Sequence, residues 1–127
     1  MSFTTYTEDK VLDHILKGTS FTAPAVVYVA LYTSATNAAG GGTECTGGGY
    51  TRKTMGFTTA TSGATENNGD VEFPTATDAW GTLTHTAILD ASSGGNMLME
   101  TALTASKTIS TGDVFRFQSG EFDVTLD

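Results

Sequence analysis

From Val71 to Asp127 short apolar runs alternate with clusters of Gly, Asn, Asp and Ser, so that a turn signal recurs about every 8–12 residues. This is the pattern of an all-β sandwich or barrel. Thr82–Leu89 is a good strand, with Leu83, His85, Ala87 and Leu89 expected on one face. Asp90–Asn96 is a turn. Met97–Leu103 and Val114–Gln118 are further strands. Phe122, Val124 and Leu126 alternate with Asp123 and Thr125 in a last one, so the chain is expected to finish inside a strand.

Composition supports the same class. The 127 residues include 25 threonines, whose branched Cβ suits a pleated surface, and 15 glycines, which supply positive-φ turn positions. A chain of this length can bury a core without staples and is read as one domain over residues 1–127. Upstream of Val71, one short helix is predicted over about Thr7–Lys17, with Val11, Leu12, Ile15 and Leu16 on one face. Thr5 and Glu8 fit a capping box, and Gly18 fits the stop. The helix is too short to stand alone, so its stripe must cover a sheet or dock on another chain. Val26–Thr33 is apolar on both faces and is expected to be a central strand, or to meet a partner with one face. Residues 36–49 form a loop with two glycine triplets and no apolar period, expected to stand clear of the core. Tyr50–Thr59 and Val71–Phe73 read as strands, the latter stopped by Pro74. The fold class is all-β: an antiparallel two-sheet sandwich or flattened barrel of about seven strands with one short N-terminal helix.

Charge narrows the partners. Six Lys and Arg against fourteen Asp and Glu give a net charge of −8, which cannot neutralise a phosphate backbone and disfavours anionic membranes. No nucleic acid or membrane partner is expected. No apolar run approaches the roughly 18 residues of a bilayer span, and the N-terminus lacks the basic and apolar regions of a signal peptide. The single Cys45 allows no internal disulfide.

Candidate chemistry is sparse. His14 sits beside Asp13 on the polar side of the helix, and His85 shares an apolar strand face; no local motif supplies the nucleophile and orienting carboxylate that a catalytic base needs. Glu44 beside Cys45 works against a lowered thiol pKa. One cysteine and two distant histidines do not make a zinc site, and no Asp-x-Asp-x-Asp-Gly calcium loop occurs. The glycine-rich loop leads into a strand rather than a helix N-terminus, so a phosphate cradle is not expected. No catalytic residues, cofactor or metal are assigned. Trp80, in a loop before Gly81, is read first as a plug for one end of the sandwich, second as an interface anchor and third as a platform for a sugar ring.

An ordered series of segments carries a resemblance. The helix leads into Phe21-Thr-Ala-Pro-Ala-Val-Val-Tyr-Val-Ala-Leu-Tyr-Thr, followed by Gly47-Gly-Gly-Tyr-Thr-Arg. Val71-Glu-Phe-Pro-Thr-Ala-Thr-Asp-Ala-Trp-Gly-Thr-Leu-Thr-His, Leu89-Asp-Ala-Ser-Ser-Gly-Gly-Asn and Leu103-Thr-Ala-Ser-Lys-Thr-Ile-Ser-Thr-Gly-Asp then precede Phe115-Arg-Phe. From about residue 5 onward the chain resembles small virion structural proteins of tailed bacteriophages, often labelled phage tail fibre protein. The resemblance implies a non-enzymatic particle component, made in the host bacterial cytoplasm and ending in the virion, with other virion proteins as partners.

The chain has no coiled coil, collagen repeat or β-helix that would give a fibre its length. Compactness and negative charge therefore favour a decoration or cement protein, homo-oligomeric in the particle and bound to major capsid protein on the outside of the head. The alternative is a tail fibre or tail-tip protein acting in receptor binding or as an adaptor. The aromatic residues Phe3, Tyr6, Tyr32, Tyr50 and Trp80, with the glycine loop, are the expected interface positions.

Overall fold

The alternating runs fold as antiparallel strands, and the computed structural model describes them over residues 1–126. In chain order the elements are β1 (Ser2–Phe3), α1 (Thr5–Lys17), β2 (Tyr28–Tyr32), β3 (Lys53–Thr54), β4 (Ala64–Glu66), β5 (Val71–Glu72), β6 (Gly81–Leu89), β7 (Met97–Ile109), β8 (Arg116–Phe117) and β9 (Asp123–Thr125). One sheet has five strands in the order β1-β7-β6-β2-β3, and two-stranded sheets pair β4 with β9 and β5 with β8. Every pairing is antiparallel. No sheet among the described residues closes on itself, so the architecture is sandwich-like rather than a barrel.

The main core lies between the large sheet and the two small ones. Val29 and Leu31 of β2, Leu83 and Ile88 of β6 and Leu98 of β7 meet Phe73, Phe115, Phe117, Phe122 and Val124 from the other side. The phenylalanines interlock edge to face: Phe115 to Phe117 at 5.0 Å and Phe117 to Phe122 at 5.2 Å between ring centroids. Such pairs add about 0.5–1.5 kcal/mol each beyond the area they bury. A smaller cluster on the opposite face of the large sheet holds Ala30, Tyr32, Ala87, Leu89 and Met97. Strand β2 is therefore apolar on both faces because both are covered, as its sequence predicts.

Strand β6 departs from the simple alternation. Leu83 belongs to the main core, whereas Ala87 and Leu89 belong to the small cluster. His85 sits opposite Tyr32 on that second face. The reason is a register break: Leu83 faces Lys107, but His85 faces Ala102, so residues 103–106 of β7 have no partner on β6. Extra residues in one strand shift which side the next residues face, and the single face expected for Leu83, His85, Ala87 and Leu89 is split in two. The long strand expected at Tyr50–Thr59 shrinks to Lys53–Thr54, because Gly49 turns with φ 83° and Tyr50 goes inward.

The glycine loop does not stand clear of the core. Cys45 is buried, and its N–H donates to the Leu31 carbonyl at 2.8 Å, while the Leu31 N–H donates to the Tyr50 hydroxyl at 3.1 Å. The exposed backbone of β2 beyond β3 needs partners, and the loop supplies them. A Cβ on Gly47 would sit 2.1 Å from Trp80 Cδ1, and Trp80 Nε1 donates to the Gly48 carbonyl at 2.8 Å. The glycines there allow backbone to lie against an indole, and Trp80 plugs the core at 4 % exposure.

Candidate assembly interface

The N-terminal turn of α1 is held by threonine hydroxyls. Thr4 is the N-cap residue with extended backbone, but its hydroxyl makes no cap bond; it donates to the Met97 carbonyl at 2.5 Å. The Thr7 hydroxyl donates to the Leu98 carbonyl at 2.8 Å, and the Thr5 N–H to the Ala38 carbonyl at 2.9 Å. The capping box expected from Thr5 and Glu8 is therefore absent, and the first turn is tied to β7 instead. At the other end Gly18 stops the helix as expected, with φ 67° and its N–H on the Asp13 carbonyl.

Past that anchor the helix leaves the body. Among the strands of the described residues it packs against β1 and β7. Leu12, Ile15 and Leu16 are 55 %, 70 % and 75 % exposed. Burying each fully is worth roughly 1.5–3 kcal/mol, and folding of this chain collects little of it. At about 100° per residue, these three side chains span one arc directly opposite Thr7 and Tyr6, which face the sheet. The stripe expected to cover a sheet or another chain covers no sheet.

The aromatic positions fare differently. Trp80 and Tyr32 are buried, and Tyr50 is mostly so. Tyr50 stands edge-on to Trp80 at 5.5 Å and stacks on Phe73 at 6.1 Å. Phe3, paired with Met99, and Tyr6, under the Lys10 ammonium at 5.6 Å, are half-buried at the root of the helix. All five are used within the chain, and the aliphatic residues that face outward were not among them.

Arg52 organises the loops above the small cluster. Its Nε and Nη2 donate to the two oxygens of Glu44 at 2.9 and 2.8 Å, and its Nη1 donates to the carbonyls of Ala91 and Gly94 at 2.7 and 2.9 Å. The Tyr50 hydroxyl donates to the same Glu44 at 2.7 Å. Burial alone would raise the Glu44 pKa, but the hydrogen bonds from Arg52 and Tyr50 and the Arg52 charge outweigh it and hold the carboxyl below its ordinary value. Burial, then Glu44, pushes the Tyr50 hydroxyl up. Burial, with Glu44 and Asp78 nearby, raises the Cys45 thiol and keeps it a poor nucleophile. Every nitrogen of the guanidinium is engaged, so the arrangement fastens the loops together.

Two concavities remain. A cleft of about 400 Å³ lies between the helix root, Ala38–Gly40 and Gly94–Met97. A groove of about 960 Å³ runs along the outer half of β7 beside β8. There β1 covers only Met99 and Glu100, so β7 beyond Glu100 has no strand on its outer side among the described residues. His85 Nδ1 meets the Thr84 hydroxyl at 2.8 Å, and His14 Nδ1 meets the Thr19 carbonyl at 3.1 Å. Neither contact is with a carboxylate. Among the described residues no group of His, Cys, Asp and Glu could hold a metal ion, and no helix is long and apolar enough to cross a membrane.

The described residues thus form a sandwich with a splayed apolar helix and an open strand edge. The model of a protein family described as podophage GP4 fiber I protein gp80 matches residues 2–125, and the chain belongs to that family. It is thus a bacteriophage structural protein of the fibre type, as the ordered sequence segments imply. No curated protein matches the chain. The fibre description favours the tail-fibre alternative over the capsid-decoration reading drawn from compactness, and compactness loses its force because a fibre can be assembled from short subunits.

Proposed function

We propose that this chain, as one domain over residues 1–127, is a non-enzymatic subunit of a phage tail fibre that joins other virion proteins. The observation that carries this reading is the fibre family's match across residues 2–125. The exposed stripe of α1 supports it, because a subunit that ends its life in an assembly can leave apolar surface for its neighbours. Several copies meet in the particle, with the open edge of β7 beyond Glu100 as the contact between them, since an unpaired strand edge is a template for pairing. Length then comes from stacking subunits and partners, not from a stalk within one chain. Partners are proteins: with a net charge of −8 the surface has little to offer phosphate.

Counting copies in purified virions by quantitative mass spectrometry, with cryo-electron microscopy to place the density, tests the reading. A few to a few tens of copies at the tail are expected. Hundreds of copies on the head would restore the cement-protein reading and overturn this one.

A further inference from the structure

The bare face of α1 has a particular chemistry. At about 100° per residue, Glu8 falls inside the arc of Leu12, Ile15 and Leu16, Asp9 falls on its border, and Asp13 lies just beyond. All the basic residues of the helix, Lys10, His14 and Lys17, fall on the opposite side, toward the body. The outward face is therefore apolar with only acidic groups in and around it.

A second copy of this chain fits that face badly. Packing two such helices side by side in the same direction would bring Glu8 against Glu8. Reversing one would set the Asp9 and Asp13 flank against itself. Like charges on facing positions are destabilising. The large groove beside β7 fails for the same reason: it offers Lys107 and Arg116 but also Glu72, Asp113, Glu121 and Asp123. Of the chain's two remaining basic residues, Arg52 is 8 % exposed and already bound to Glu44, and Lys53 is a single half-buried lysine on β3.

Resting on the virion-subunit reading above, we propose that the C-terminal half of α1 docks in an apolar groove with a basic rim on a different virion protein. Leu12, Ile15 and Leu16 fill the groove, and Glu8, Asp9 and Asp13 meet Lys or Arg at its lip. This is the helix-in-groove mode of recognition, with charge setting orientation and choice of partner. The hydroxyl ties of Thr4 and Thr7 present the helix in a fixed direction, which limits the ordering cost of docking.

Complementation tests it. A phage with this gene disrupted is grown in cells that express the chain in trans, and copies per particle are counted by mass spectrometry. The triple variant Glu8→Gln, Asp9→Asn, Asp13→Asn touches exposed or half-exposed side chains and leaves the apolar stripe intact. It is expected to enter particles about tenfold less than wild type, and Glu8→Lys, Asp9→Lys, Asp13→Lys less still. In wild-type particles an amine-reactive cross-linker is expected to join Lys10 and Lys17 to a lysine of another virion protein. Wild-type incorporation of the neutralised variant, or cross-links running only to α1 of a second copy, would overturn the proposal. The fibre reading stands or falls separately, on whether the incorporated copies sit at the tail or on the head.

Discussion

The corner around Trp80 and the helix α1 use apolar residues in opposite ways. At the corner, Trp80, Tyr50 and Phe73 close on one another, and the backbone of Gly47 and Gly48 lies against the indole. On the helix, Leu12, Ile15 and Leu16 stay in solvent while threonines at its root make the attachment. The corner encloses its aromatics within the chain, whereas the helix leaves these three aliphatics uncovered by it. The difference shows that an aromatic in a loop signals an interface only if nothing in its own chain can enclose it.

Substitutions at the corner should hurt the fold most. Trp80→Ala removes the plug and the Gly48 contact, and about 3–5 kcal/mol should be lost in denaturant unfolding, as for large-to-small changes in other cores. A loss under about 1 kcal/mol would mean the corner is looser than its packing implies. Arg52→Ala should cost about 2–3 kcal/mol, less than a fully buried pair because Glu44 is 26 % exposed. Thermal unfolding of that variant, with Arg52→Lys to separate charge from the fork of hydrogen bonds, checks this. Gly47→Ala should cost about 1–3 kcal/mol, since its methyl must push the indole or the loop aside.

Acid provides a milder probe of the same region. The folded-state pKa of Glu44 lies below its ordinary 4.5, so its contribution is present above that value and lost as pH falls through the lower folded one. Stability measured from pH 6 downward should therefore fall in acid, and Glu44→Gln should flatten part of that slope. An unchanged slope would mean that other carboxylates carry the acid sensitivity.

Much of this was readable in the chain, and the exceptions have physical causes. Alternation in Thr82–Leu89 and around Val124 marks real strands, and Gly18 marks the helix end, because each is a local signal with a local cause. The face shift in β6 was hidden, because it depends on the unmatched residues 103–106 of β7, and no local pattern announces a register break between distant segments. The capping box expected at Thr5 and Glu8 is absent because the helix takes Thr4 as its N-cap, one residue earlier, and the Thr4 hydroxyl goes to the Met97 carbonyl, a contact across 93 residues. The glycine loop is expected to stand clear of the core for want of apolar residues, yet Cys45 and the Tyr50 hydroxyl bring it to the edge of β2. For the candidate interface, the sequence contained the stripe and both of its possible uses. Only the direction in which the helix leaves β7 separates them.

The smallest expected effect on folding is also the most telling. Replacing Leu12, Ile15 and Leu16 together with Ala keeps helix propensity and removes only the outward face. Two quantities should be measured on that one variant: its unfolding free energy and its copies per particle after complementation. We predict a stability within about 0.5 kcal/mol of wild type, as for surface changes, together with at least a tenfold drop in incorporation. A variant that unfolds several kcal/mol more easily, or one that enters particles as wild type does, would contradict the claim that this helix belongs to the assembly rather than to the fold.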